Sequence, residues 1–247
     1  MRLGMVGLGR MGGNMAERLR RDGHEVVGYD RDPKSSDVAD LAALVGSLGD
    51  AGSRAVWVMV PAGDATEQTI DELAGLMVEG DVIVDGGNSN FGDSVRRGAA
   101  LAEQGFAHVG PVGAGHYTKM VHNGIEYGLM QAYAEGFAIL HSSDLDIDAM
   151  AAVKSWQEGS VVRSWLLDLL IRALDDTPGF EGIRGVAADS GEGRWTVNEA
   201  VRLGIAAPVI SAALFARFVS QDEDQLTMKV IAALRHQFGG HTFEKAP

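Results

Sequence analysis

Apolar residues in the first half of the chain gather in short runs, at 2–7, 24–29, 55–60 and 81–84, of which the third and fourth read as continuous. Runs that do not alternate suit strands covered on both faces, the environment of a parallel sheet. Between the runs, apolar positions return every three or four residues and predict crossover helices over 36–48, 66–77 and 92–104. From about residue 114 the pattern is helical throughout, with segments at 114–140, 146–157, 160–174, 196–203, 207–220 and 223–237. The division predicts an α/β domain over 1–110 and an all-α domain over 111–247, meeting near Gly110-Pro111. Trp156, Trp165 and the leucine-rich stretch 166–170 read as core, and Thr196, after a glycine-rich loop, reads as a helix N-cap.

The loops between these elements carry the first chemistry. The first strand runs directly into Gly7-Leu8-Gly9-Arg10-Met11-Gly12, followed by a helix. In that setting the first glycine permits the turn, the second lets backbone approach a pyrophosphate, and the third lets helix and strand pack. The helix start, with Arg10 and Met11, offers its N–H groups to the phosphates. A Rossmann-like dinucleotide domain is expected. The second strand ends at Asp30, where an acidic residue about 20 positions on would hold a ribose 2′-hydroxyl. Asp30 favours NAD; Arg31 beside it can stack on adenine or pair with a 2′-phosphate, which leaves NADP open. The turn Asp30-Arg31-Asp32-Pro33 exists on either reading. The third strand ends in Val60-Pro61-Ala62-Gly63 and the fourth in Asp85-Gly86-Gly87-Asn88-Ser89, at carboxyl ends where open α/β sheets bind ligands.

Residues 110–128 are the most informative stretch. A Gly-Pro turn and the pair Gly113 and Gly115 lead into a helical pattern in which Lys119, Asn123, Glu126 and Tyr127 share one face, flanked by His122. Met120, Val121, Ile125 and Met130 point elsewhere, which predicts a helix buried on most sides. An exposed lysine and glutamate would be the ordinary explanation of such a row. Burial of both would be costly without a task.

The segment Gly-Ala-Gly-His-Tyr-Thr-Lys-Met-Val-His-Asn-Gly-Ile-Glu-Tyr-Gly, residues 113–128, resembles the signature of decarboxylating 6-phosphogluconate dehydrogenases. Val-Pro-Ala-Gly and Asp-Gly-Gly-Asn-Ser resemble the same family. The resemblance implies oxidative decarboxylation of 6-phosphogluconate in the pentose phosphate pathway, without a metal. Lys119 would take the 3-hydroxyl proton and Glu126 would protonate the enediol. Asn88, His122 and Asn123 would orient the substrate, with Asn88 also meeting the nicotinamide, and Val60, Pro61 and Ala62 would lie along the cofactor. Ala213-Leu-Phe-Ala-Arg217-Phe resembles the family's phosphate-binding helix, and Arg235-His-Gln-Phe-Gly-Gly-His241 its C-terminal motif. Tyr127, Arg217, Arg235 and His241 would then hold the phosphate. The tail would complete a neighbouring subunit's site in a homodimer or higher homo-oligomer.

One departure from the family changes the picture. After the helix ending near Gln104 the family continues with a further strand and a Ser-Gly-Gly substrate loop, whereas this chain passes from Glu103-Gln-Gly-Phe106 to Ala107-His-Val109-Gly110. Several tens of residues are missing by comparison, so a shortened sheet and exposed apolar surface beside it are expected. Two other readings follow: a nucleotide-binding dimer without turnover, and a related β-hydroxyacid dehydrogenase.

Composition narrows the partners. A net charge of −13 argues against a nucleic-acid backbone as partner, though local arginines can still hold a small anion. Cysteine is absent, which removes disulfides, thiolate nucleophiles and Cys-ligated metals. No apolar run of membrane-spanning length and no signal-peptide core is present, so a cytoplasmic protein is expected.

Overall fold

The computed structural model describes residues 1–104, 111–239 and 242. The chain forms two compact units, Met1–Lys119 and Met120–Pro247. In the first, β1 (Arg2–Val6), β2 (Glu25–Tyr29), β3 (Ala55–Val58) and β4 (Val82–Asp85) make one parallel sheet in the order β2-β1-β3-β4. The connecting helices are α1 (Arg10–Arg21), α2 (Leu41–Ser47), α3 (Asp64–Leu76) and α4 (Phe91–Glu103). The sheet is buried on two sides because successive strand residues face opposite ways. Leu3, Met5 and Val26 pack with Ala16 of α1. Val6, Val56 and Val58 pack with Leu41, Leu44 and Val45 of α2 and Leu73 of α3. Both layers draw on the same strands, which is why apolar residues stand on either face of β1.

A buried ion pair ties the amino end of β4 to the chain entering β3. The Asp81 side chain is fully buried and accepts from the backbone N–H groups of Gly52, Arg54 and Val78 and from the Arg54 guanidinium at 2.6 Å. Burial alone would raise its pKa, but the Arg54 and backbone hydrogen bonds win and hold it at about 2.

As expected from the shortened sequence, the sheet has four strands among the described residues, with β4 at one edge. Val82 is 40% exposed, and a cavity of about 770 Å³ is lined by all four residues of β4 together with Leu101 of α4.

The second unit is helical. The 28-residue α5 (Ala114–His141) begins in the first unit and continues into the second. It is followed by α6 (Ala149–Ser155), α7 (Trp165–Asp176), a 3₁₀ turn at Pro178–Phe180, α8 (Glu192–Leu203), α9 (Pro208–Gln221) and α10 (Leu226–Gly239). Helices α5 and α8 meet through small residues. A Cβ on Gly124 would lie 2.6 Å from Thr196 Cγ2, and one on Gly193 would lie 2.4 Å from the Tyr127 ring.

Three expectations are corrected here. Thr196 is not a cap: α8 starts four residues earlier, after Gly191, and the Thr196 hydroxyl is buried, within hydrogen-bond reach of the carbonyls of Met120 and Glu192. Trp165 is 72% exposed, because the core stripe of α7 is Leu167, Ile171 and Leu174, and the first helical residue lies off that stripe. Trp156 does pack on the core. Finally, α5 is not buried on most sides. Only Met120, Gly124, Tyr127 and Gly128 are buried along it, while Ile125 and Leu129 are exposed.

Candidate active site

The three glycines of the first loop occupy distinct environments. Gly7 has φ +90°, and a Cβ there would lie 2.7 Å from the Met59 carbonyl oxygen. A Cβ on Gly12 would come within 2.0 Å of the Gly7 oxygen, so this glycine is what lets α1 pack against the loop. Gly9 has nothing within 4 Å of the corresponding position. That open space lies at the N-cap of α1, whose first turn carries neither a side-chain cap nor an acidic residue. Unpaired N–H groups with a positive helix end and no Cβ in the way make a cradle for a pyrophosphate. The residues fit a dinucleotide.

A cavity of about 680 Å³ opens there, lined by Gly7, Gly9, Arg10, Met11, Gly12, Asp30, Arg31, Val60 and Pro61, together with Asn88 and Lys119. Of the residues expected along the cofactor, Ala62 is not in this lining; it sits exposed in the turn before α3. Asp30 closes the turn expected of it and also faces the cavity. Its Oδ1 accepts from Asp32 N at 2.9 Å, closing the turn, and its Oδ2 accepts from Leu8 N at 2.7 Å, locking the carboxylate to the glycine loop. Thr66 was not foreseen from the sequence. Its fully buried hydroxyl donates to the Pro61 carbonyl at 2.9 Å and fixes that wall of the cavity.

Lys119 and Asn88 meet at this cavity, the Lys119 amine donating to Asn88 Oδ1. The expectation of a buried amine is corrected, since Lys119 is exposed.

Asn88 stands on a loop rooted in a polar network that sequence reasoning missed. Asp85, the last residue of β4, accepts from Gly87 N at 3.1 Å and from Arg97 at 3.2 Å. The Arg97 side chain, 5% exposed, donates to Glu67 of α3 at 2.8 Å, and Arg96 grips the same carboxylate with two bonds of 2.7 Å. Hydrogen bonds from Arg96 and then Arg97 hold the Glu67 pKa at about 2. His116 reaches Ser94 of α4 at 2.7 Å and lies 3.9 Å from Asp85. The sequence signal was present as Asp85-Gly86-Gly87 and Arg96-Arg97, but nothing in a helical pattern says which of two adjacent arginines turns inward.

In the second unit, His122 is exposed, with Nδ1 3.1 Å from Asn123 Oδ1 and 3.7 Å from the half-exposed Glu126. The phenol of the buried Tyr127 donates to Asp189 at 3.2 Å and accepts from Ser190 N at 3.2 Å. The Arg217 guanidinium lies 3.7 Å over the Tyr127 ring and donates to the Ala188 carbonyl at 3.0 Å. Tyr127 and Arg217 are therefore brought together. Asp189 and Arg194 join them, paired at 2.8 Å. Burial would raise the Asp189 pKa, but bonds from Gly191 N, Arg194 and Tyr127 lower it on balance. Arg235 is exposed on α10, and His241 lies outside the described residues. Among the described residues no group of three or more His, Asp or Glu is placed to hold a metal ion, and no helix is long and apolar enough to cross a membrane.

Comparisons with known proteins add to this geometry. The family model for the NAD binding domain of 6-phosphogluconate dehydrogenase matches residues 2–125, and that for its C-terminal domain matches 115–225. The NAD(+)-dependent, decarboxylating 6-phosphogluconate dehydrogenase of Haloferax volcanii is 37% identical over 294 residues, spanning 98% of each chain. That alignment is longer than this 247-residue chain, so the relative carries residues that are missing here. The decarboxylating enzyme of Lactococcus lactis is 31% identical over 96% of this chain and 65% of its own. Among solved structures, 6-phosphogluconate dehydrogenase of Plasmodium falciparum superposes with a TM-score of 0.77 at 24% identity, covering 100% of this chain and 67% of that one. The 3-hydroxyisobutyrate dehydrogenase of Mycobacterium tuberculosis shares the fold at a TM-score of 0.64 and 18% identity, covering 95% and 99%.

Proposed function

The chain belongs to the 6-phosphogluconate dehydrogenase family, and we propose that it converts 6-phosphogluconate to ribulose 5-phosphate and CO2 with NAD as its preferred dinucleotide. The observation that carries this reading is Lys119 held by Asn88 on the wall of the glycine-loop cavity. When bound, the dinucleotide supplies the two-electron oxidant for C3. Gly7, Gly9 and Gly12 with the start of α1 hold its pyrophosphate, and Asp30 takes the ribose hydroxyls. Lys119 removes the 3-hydroxyl proton, and Asn88 orients both the amine and the substrate. A ketone at C3 makes the acid a β-keto acid, so the C1–C2 bond breaks and its electrons enter an enediol. Glu126 returns a proton to the carbon that carried the carboxylate, with His122 and Asn123 orienting hydroxyls. Tyr127, Arg217 and Arg235 with His241 bind the phosphate.

NAD preference rests on Asp30, whose fixed carboxylate would repel a 2′-phosphate; the Haloferax relative is also named NAD(+)-dependent. Initial rates with 6-phosphogluconate and with 3-hydroxyisobutyrate, each under NAD and NADP, test both parts. Turnover is expected with the phosphorylated acid and NAD. Asp30→Ser, which removes a charged hydrogen-bond acceptor worth about 1.5–3 kcal/mol, should raise the KM for NAD by about tenfold or more and narrow the gap to NADP. A preference for NADP in the unaltered protein would refute the cofactor assignment, and turnover with 3-hydroxyisobutyrate alone would refute the substrate.

We also propose that the chain assembles as a homodimer. Exposed apolar side chains recur along α5 (Ile125, Leu129) and α10 (Leu226, Met228, Leu234), more than a solitary helical unit ordinarily leaves in water. Light scattering behind size-exclusion chromatography should give twice the 26.1 kDa of one chain; a monomer at micromolar concentration would contradict the proposal.

A further inference from the structure

We propose that His116 is a positioning residue: it ties the first turn of α5 to Ser94 of α4 and to Asp85 of β4, and thereby sets Lys119 against Asn88. The proposal rests on the functional reading above for its kinetic arm, but its geometry stands apart from it.

Two partners must be brought into register for the Lys119–Asn88 bond to form, and each has its own anchor. Asn88 hangs from the turn that Asp85 closes through Gly87 N, and Asp85 is itself held by the buried Arg97. That turn requires its glycine, since a Cβ on Gly86 would lie 1.9 Å from Trp57 Nε1. The Asn88 side is therefore fixed from β4, α3 and α4. Lys119 lies one turn after His116 on the same face of α5, so whatever orients the first turn orients the lysine.

The first turn of α5 is held against α4 by two side chains. Tyr117 sits edge-to-face on Phe91 with ring centroids 5.0 Å apart, a contact that fixes distance but tolerates sliding. His116, 12% exposed at its side chain, adds direction: Nδ1 is 2.7 Å from Ser94 Oγ and Nε2 is 3.9 Å from Asp85 Oδ1. Those two ring nitrogens span the helix that holds α5 and the carboxylate that holds the Asn88 turn. Arg97 already joins α4 to that carboxylate, and His116 brings the first turn of α5 into the same set. A misplacement of about 1 Å at a reacting group can cost about 100-fold in rate, so a tie at this point is worth having even though His116 touches no reacting atom.

The test uses the full-length chain with its lysines reductively ¹³C-methylated. The sequence has five, Lys34, Lys119, Lys154, Lys229 and Lys245, and Lys119→Arg assigns the Lys119 resonance. In His116→Ala that resonance should move toward the position of a free lysine while the others stay in place. The kcat should fall by about 100-fold, with dinucleotide affinity unchanged. His116→Asn, whose amide can still meet Ser94, should recover part of both effects. Ser94→Ala removes only one oxygen, and it takes the place of His116→Ala if the latter melts early. An unmoved Lys119 resonance in these variants would overturn the proposal. A moved resonance in a protein that shows no turnover even unaltered would uphold the positioning role and refute the proposed reaction instead.

Discussion

Lys119→Ala should lower kcat with 6-phosphogluconate by about 10²–10⁴-fold, the span typical of losing a general base, while dinucleotide affinity stays within a factor of a few. The separation follows from geometry. Phosphates and ribose would be held by backbone of the glycine loop and by Asp30, whose carboxylate is fixed by Leu8 N and Asp32 N independently of the lysine. The lysine lines the same cavity from α5 and meets Asn88. Stopped-assay rates beside isothermal calorimetry with NAD would measure the two quantities separately. Lys119→Arg should not rescue, because a guanidinium stays protonated and cannot take the hydroxyl proton.

The largest effect on stability is expected at Asp81. Replacing it by asparagine keeps the shape but leaves the Arg54 guanidinium, 10% exposed, without its counter-charge. Breaking a buried pair in this way costs about 3–5 kcal/mol, a large part of the stability of an ordinary domain. Urea unfolding followed by tryptophan fluorescence would read it. The pH dependence has a definite sign. The folded-state pKa of Asp81 is about 2 against an ordinary 3.8, so its contribution is complete above about pH 4 and is lost as pH falls through 2. Asp81→Asn should therefore flatten the acid limb of stability. Glu67 has a similarly depressed pKa but is 31% exposed at its side chain, as is much of Arg96. Solvent screens that pair, and Glu67→Gln should cost less than Asp81→Asn.

Much of the fold was legible because the physics that builds it is local. Strands packed under helices must be apolar along most of their length, and all four were visible in that way, although β4 is left partly open. The glycine loop was visible because Gly7 and Gly12 occupy places where a Cβ would strike backbone. Long-range pairing was less accessible. Helical periodicity predicted the course of α5 but not its burial, because apolar residues such as Ile125 and Leu129 look alike in sequence whether a neighbour covers them or not. The proximity of Lys119 to Asn88 came from family resemblance; spacing along one helix says nothing of a loop 31 residues away. The Asp189–Tyr127–Arg217 cluster was half seen. The tyrosine and arginine carried a resemblance, whereas a carboxylate held by a tyrosine and by Arg194 has no signature of its own. Thr196 misled for a related reason: threonine after a glycine loop is a cap by statistics, but here its hydroxyl was needed one turn inside the helix.

The shortened sheet bears directly on activity. Loss of the Ser-Gly-Gly region removes donors that the family resemblance would give the substrate carboxylate, while the dinucleotide cavity, Lys119 and Asn88 are intact. The most direct measurement is the release of labelled CO2 from 6-phosphogluconate carrying the label at C1, followed together with NAD reduction by the purified full-length chain. One CO2 per reduced dinucleotide is the predicted result. Tight NAD binding with neither CO2 nor reduction, or reduction without CO2, would contradict it.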